Sequence, residues 1–190
     1  MRQRINKQFR QLRKSKARLR VHQGGTRSGK TYAICQYLIW LITESEQPLV
    51  ISIVRKTLPA LKGSVQRDFL EIAENVGMFL DGAVHNKVEG HFMYNGHLVE
   101  FLSVDDSQKI RGRKRNIAFL NEANELTMED FRQINMRCTD YIILDFNPSD
   151  PVHWIYDEII PRDDCDTWIT TYKDNKFLSK DLVYEIERMR

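Results

Sequence analysis

The run Gly24-Gly25-Thr26-Arg27-Ser28-Gly29-Lys30-Thr31 satisfies the phosphate-loop pattern GxxxxGK[ST] at every specified position. A short apolar-containing segment, Leu19 to Gln23, leads into it, and Tyr32, Ala33, Tyr37, Leu38, Leu41 and Ile42 follow at helical spacing. Strand, glycine-rich loop and helix in that order are the context in which the pattern has a physical meaning. The loop's backbone N–H groups can surround phosphate oxygens, helped by the positive end of the helix that begins there. Lys30 is expected to reach the β- and γ-phosphates, and the Thr31 hydroxyl to ligate Mg²⁺. A chance glycine-rich turn would share the letters but not the order of elements. The expected nucleotide-binding set is therefore residues 24–31, with Gln23 near the place where adenine would lie.

A chain of 190 residues, 42% hydrophobic and 29% charged, is long enough for one domain with a sizeable core. No stretch is long and apolar enough to span a bilayer; the best, around Tyr37 to Ile42, is far too short. Nor does an apolar segment follow the basic N-terminus, as a secretory signal would require. The three cysteines (Cys35, Cys138, Cys165) and five histidines have no ligand-like spacing, so buried reduced thiols and no structural zinc are expected.

Net charge is only +3, yet nine Lys or Arg and no acid fall in the first twenty residues. Such a segment reads as an arm for a polyanion, most simply nucleic acid. It reads equally as a solvated tail, or as an amphipathic helix packed on the domain through Ile5, Phe9, Leu12 and Leu19.

Beyond the loop, strand-like and helix-like segments alternate. Leu49 to Val54 is a continuous apolar strand, as in a sheet buried on both faces. Leu58 to Val76 reads as a helix with Pro59 in its first turn. Lys87 to Tyr94 and His97 to Val104 flank Asn95-Gly96, a two-residue hairpin signal. After a polar, basic loop (Asp105 to Arg115) come a strand at Ile117 to Leu120, a helix over Met128 to Met136, and strands at Tyr141 to Phe146 and Thr167 to Tyr172. A last helix starts near Ser179, a plausible cap. The pattern predicts a three-layer α/β domain with a mainly parallel sheet and an inserted β-hairpin.

Hydrolysis needs more than a loop. Ile117 to Glu122 looks like the strand that, in P-loop ATPases, ends in a Mg²⁺-organising acid followed by a catalytic glutamate. Asn121 takes the first position, offering a carbonyl oxygen without the charge, and Glu122 can polarise the attacking water as general base. A buried strand that merely ends in polar residues would look the same. The distance from Lys30 to Glu122 leaves room for an additional strand between them, as in the catalytic-glutamate class. Positive charge against the transition state could come from Arg111, acting in trans, or from Arg27 within the loop, acting in cis. Alternatively Arg111, Arg113, Lys114 and Arg115 form a solvated or DNA-facing loop.

Taken together, these residues resemble the N-terminal ATPase domain of phage terminase large subunits, the motors of viral genome packaging. The resemblance covers about His22 to Leu178. It is carried by the phosphate loop, Val54-Arg-Lys-Thr57, Arg111-Gly112, Asn121-Glu-Ala-Asn-Glu-Leu126, Asp145-Phe-Asn-Pro-Ser-Asp-Pro151 with His153-Trp154, and Thr170-Thr-Tyr-Lys-Asp-Asn175. It implies an ATPase using ATP and Mg²⁺, with Asn121 and Glu122 as the Mg²⁺ and water-activating pair. It also implies Asn147 as a γ-phosphate sensor, and Thr170 and Thr171 as residues coupling hydrolysis to movement. A strand-terminating turn and plain β-propensity are the alternatives for these last three. The implied partners are double-stranded DNA, a portal protein, a small terminase subunit and further copies in a ring, a pentamer by the resemblance. The implied place is the host cytoplasm, at the portal vertex of a procapsid.

The implied division is a basic arm over 1–20, the ATPase domain over 21–178 and a linker helix over 179–190. Nothing in the sequence supplies the acidic cluster of the nuclease domain with which terminase large subunits continue. An isolated domain, a truncated chain or half of a split gene product would look alike, and no DNA cleavage is expected from this chain alone. A helicase-like repair ATPase and a nucleotide-dependent assembly module with little turnover are the competing readings, the second motivated by Asn121.

Overall fold

The computed structural model describes residues 5–105, 110, 112–149 and 151–188. Eight strands form one sheet in the order β3-β4-β5-β2-β6-β7-β1-β8. They are β1 (Leu19–Gly24), β2 (Val50–Arg55), β3 (Val84–Asn86), β4 (His91–Tyr94), β5 (His97–Ser103), β6 (Arg115–Leu120), β7 (Cys138–Phe146) and β8 (Cys165–Thr170). All neighbours from β5 to β8 pair in parallel, and only the β3–β4 and β4–β5 pairs are antiparallel. The hairpin turns at Asn95 and Gly96, whose φ values of 48° and 81° are what a tight two-residue turn requires. It is less of an appendage than the sequence suggests, because β5 pairs with β2 over six residues and so belongs to the parallel sheet.

The central strands are buried on both faces, and alternation along them feeds two cores. Ile51, Ile53, Ile117, Phe119 and Ile143 face one core with α2 (Lys30–Glu44) and α4 (Arg67–Asn75). Val21, Val54, Ala118, Leu120, Ile142 and Leu144 face the other with α5 (Met128–Asn135) and a π turn at Ile155–Ile159. The helix expected over Leu58 to Val76 is interrupted. A short α3 (Leu58–Leu61), capped by Thr57, passes through a π turn at Lys62–Gln66 into α4. A C-terminal helix α6 (Lys180–Arg188) ends the described chain.

Two features depart from the simplest reading of the basic regions. Residues 7–14 form helix α1 (Lys7–Lys14), which buries Phe9 and Leu12 against α2; Phe9 meets Tyr37 and Trp40 edge-on at 6.0 Å. Arg20 is nearly fully buried, lies 3.5 Å from the ring centre of Tyr141 and donates to Tyr37 Oη. Leu19 and Arg20 belong to β1, so the segment's end is a sheet strand. In the loop before β6, Arg113 donates to the buried Glu100 at 2.5 Å, and Arg115, 1% exposed, donates to the carbonyls of Ile110 and Arg113. Those two arginines are bonded within the domain. Arg111 lies outside the described residues.

If α1 is part of the core, Leu12→Ala should lower the unfolding free energy by about 2–5 kcal/mol in urea titrations, the range for a buried leucine. Lys14→Ala, at an exposed position of the same helix, should change it by less than about 0.5 kcal/mol. Equal, small effects would return α1 to the status of a solvated tail.

Candidate active site

Strand β1 delivers the phosphate loop at the C-terminal edge of the sheet, where α/β folds place their ligands. Gly24 has to be glycine: a Cβ there would lie 2.5 Å from the Thr170 carbonyl oxygen on the neighbouring β8. Gly29 has to be glycine for another reason, since its φ of 77° is the left-handed turn that starts α2. Arg27 also has positive φ, 68°. The loop's outward carbonyls are held by residues far away in sequence. Gln8 Nε2 on α1 donates to Ser28 O at 3.0 Å, and Asn175 Nδ2 donates to Arg27 O at 2.9 Å. The loop is therefore braced from both sides, and within it the Ser28 N–H donates to Gly25 O at 3.3 Å. Neither brace is legible from loop spacing, although Asn175 closes the last motif of the resemblance.

A cleft of about 230 Å³ opens over residues 26–32 and is closed on its far side by Asp68, Glu122 and Asn147. Three chain segments predicted from separate motifs thus converge. Lys30, 5% exposed, donates from Nζ to Asn147 Oδ1 at 2.7 Å. Gln23 is not brought to this cleft. It lies on β1 with its side chain on the alternate face from His22, and its carbonyl accepts from Thr170 Oγ1 at 3.4 Å. Thr170 is buried beneath Gly24, whereas Thr171 is exposed and caps a 3₁₀ turn at Tyr172–Asp174. That turn leads directly to Asn175 and the loop. His22, stacked on Trp168 at 4.7 Å, has its pKa pushed down to about 3 by burial and by Lys30, so it is a neutral core ring.

On the other side of Thr31, two strand ends meet. Register pairs Leu120 of β6 with Leu144 of β7, which sets Asn121 beside Asp145. Asp145 is fully buried. Its Oδ1 accepts from Asn121 Nδ2 at 2.9 Å and from the Glu122 backbone N–H at 2.8 Å, and its Oδ2 accepts from Thr31 Oγ1 at 2.5 Å. Asn121 Nδ2 also lies 3.4 Å from Thr31 Oγ1, and its Oδ1 is buried without a hydrogen-bond partner. A neutral hydroxyl and an unpartnered amide oxygen suit Mg²⁺, which keeps waters and takes much of its coordination from phosphates. Among the described residues no group of three or more His, Cys, Asp or Glu could hold a metal by itself.

Glu122 follows in a left-handed conformation, φ 50° and ψ 55°, which a non-glycine residue adopts only when its surroundings enforce it. The bond from its N–H to Asp145 is the enforcing contact. Burial, then the nearby Asp145 charge, raises the Glu122 carboxyl above the ordinary carboxylate range, partly opposed by Lys30 and Arg55. Arg55, at the end of β2, is held by Ala60 O, Ser64 Oγ and Glu125. A carboxyl of raised proton affinity that lines the cleft beside a phosphate loop is a candidate general base.

A family model for the phage terminase large subunit matches residues 16–190. The chain belongs to that family. This terminase chain has the fold of the large terminase of a thermophilic bacteriophage, with TM-score 0.84 and 19% identity over 99% of this chain and 51% of that one. The same phage protein in complex with ADP superposes with TM-score 0.82 and 20% identity, covering 98% and 50%. The large terminase ATPase domain of Thermus phage P74-26 gives 0.71 and 14%, covering 100% and 86%. A chain of the bacteriophage Phi-29 genome packaging motor assembly gives 0.61 and 16%, covering 89% and 58%. The terminase chain thus spans about half the length of the thermophilic phage protein. No curated protein sequence matches it significantly. The shared fold is that of a P-loop NTPase, and β7 lies between β1 and β6 in the sheet.

Two predictions concern the site's construction. Gly24→Ala should abolish nucleotide binding or lower the melting temperature, because the β8 backbone cannot move aside. Gly25→Ala, with no protein atom within 4 Å of its new Cβ, should melt as wild type does; an equal fall in melting temperature in both would discount the β8 contact. Glu122→Gln should melt a few degrees higher than wild type at pH 7. The raised carboxyl means that ionisation works against the folded state, so Glu122's contribution to stability is present at low pH and lost as pH rises through the raised pKa. The difference should therefore vanish in acid; a difference that persists there would be packing, not charge.

Proposed function

We propose that the chain is the ATP-hydrolysing motor domain of its terminase, converting ATP hydrolysis into translocation of double-stranded DNA into a procapsid. The observation that carries this reading is the convergence of the braced phosphate loop, Glu122 and Asn147 on one cleft, in a member of this family. The ADP complex of the thermophilic phage relative supports nucleotide binding at the matching fold.

In this reading the loop amides and Lys30 hold the triphosphate, and Thr31 and Asn121 hold Mg²⁺, which when bound offsets the charge of the β- and γ-phosphates. Glu122 takes a proton from the water whose oxygen attacks the γ-phosphorus, and the bond to the bridging oxygen of ADP breaks. Asn147 senses the γ-phosphate through its bond to Lys30. Arg27 in cis, or Arg111 from a neighbouring copy, steadies the transferring group. Thr170, Thr171 and Asn175 couple the loop's state to the end of β8. Portal protein, small terminase subunit and a ring of five copies are the partners, at the portal vertex in the host cytoplasm. DNA contact is electrostatic and falls with salt; its basic groups come from exposed residues such as Arg10, Lys14, Lys16 and Lys114, with Arg113 and Arg115 engaged internally.

Steady-state hydrolysis should be measured for wild type and Glu122→Gln across protein concentration, with and without double-stranded DNA. Wild-type turnover should rise with concentration or DNA and with pH through the raised Glu122 pKa, while Glu122→Gln keeps ATP binding and loses at least about a hundredfold in rate. Near-normal turnover in the variant would remove Glu122 from the chemistry.

A further inference from the structure

The strand ending in Asn121 lacks the carboxylate that such sites ordinarily place next to the phosphate-loop hydroxyl. The structure has a carboxylate at that hydroxyl nonetheless, on the adjacent strand. Asp145, at the end of β7, accepts from Thr31 Oγ1 at 2.5 Å and from Asn121 Nδ2 at 2.9 Å. We propose that Asp145 supplies the negative charge missing from position 121, acting through the Asn121 amide and the Thr31 hydroxyl that would hold the divalent cation of a bound nucleotide. This inference rests on the nucleotide-hydrolysing reading above and deepens it.

Four observations carry it. Asp145 is fully buried, and it is the one carboxylate bonded to Thr31 among the described residues. A buried charge is retained only where it is bonded or needed, since burying it bare is costly. A carboxylate can only accept, so the Asn121 amide must turn its NH₂ toward Asp145. That fixes the amide and leaves Asn121 Oδ1 buried with no partner, an oxygen oriented by the contact and short of a ligand. Finally, Oδ1 of Asp145 also holds the Glu122 N–H, so the same charge that serves the cation fixes the left-handed turn of the candidate base. Asp145 is thus a positioning residue acting through Thr31, Asn121 and Glu122, comparable to outer-shell carboxylates that tune metal affinity through the ligands they hold.

The charge is a property of the pair, not of one strand. Moving it back to β6 should therefore be tolerated. This separates the proposal from a purely structural role, in which Asp145 would serve only to tie β7 to β6.

Mn²⁺ is the probe, followed by the electron paramagnetic resonance of the free ion, with the protein saturated with ADP or ATP-γ-S. Asp145→Asn should weaken Mn²⁺ binding by about tenfold or more, while nucleotide affinity in EDTA stays within about threefold of wild type. The exchange variant N121D/D145N, which keeps one carboxylate and one amide, should recover Mn²⁺ affinity to within about threefold; it also carries the test should Asp145→Asn alone fail to fold. Unchanged Mn²⁺ affinity in Asp145→Asn would overturn the inference and leave the nucleotide reading standing. So would an equal loss of nucleotide affinity in EDTA, or a folded exchange variant that stays as weak as Asp145→Asn. Wild type that binds neither nucleotide nor Mn²⁺ would overturn both.

Discussion

A carboxylate with no exposure to water must have its lone pairs satisfied by the protein around it. Asp145 is in that position, and the groups that satisfy it are the ones the cleft is built from. Thr31 lies in the first turn of helix α2, Asn121 directly follows strand β6, and the Glu122 N–H belongs to the turn beyond it. Three elements are pinned to one side chain on a fourth, β7. The parallel register of β6 against β7 makes this possible, because Leu120 opposite Leu144 brings the next residue of each strand side by side. Shifting that register by one residue would turn one of the two side chains to the opposite face of the sheet. The geometry around the phosphate loop therefore depends on how faithfully the centre of the sheet is packed.

Much of this domain is legible in the sequence, and the parts that are not share a cause. The phosphate loop, the apolar β2, the Asn95-Gly96 turn and the helix capped by Thr127 are local signals, each carried by a few adjacent residues. Asp145 is different. It stands in a motif of the resemblance, yet its importance comes from a lateral neighbour twenty-four positions away, and only strand register reveals that pairing. Gln8 and Asn175 are likewise ordinary polar residues until the fold sets them against loop carbonyls. β8 begins at Cys165 rather than Thr167 because its first residues pair with β1 despite their polarity. The break between α3 and α4 is a π turn at Lys62–Gln66, which no periodicity in a single sequence separates from a continuous helix.

Charge misleads most where it is densest. Nine basic residues among the first twenty suggest a free arm, and exposed positions in and just after helix α1 do carry Arg10, Lys14 and Lys16. Yet the same helix buries Phe9 and Leu12, and Arg18 and Arg20 are spent on carbonyls and a tyrosine within the domain. Long basic side chains can cover apolar surface while their charged ends find partners. A count of charges records neither stem nor partner. The loop before β6 repeats the lesson, with Arg113 on Glu100 and Arg115 among carbonyls.

The bond from Lys30 to Asn147 has a further meaning for the cycle of such a protein. Without a phosphate beside it, a nearly buried ammonium needs an acceptor from the protein, and Asn147 provides an oxygen at 2.7 Å. The ammonium has three donors and this bond uses one, so it steers the lysine without exhausting it. Asn147 is in this sense a tether that limits where the lysine can point. Order of this kind is freedom already lost before a ligand arrives, so less of it is left to lose on binding.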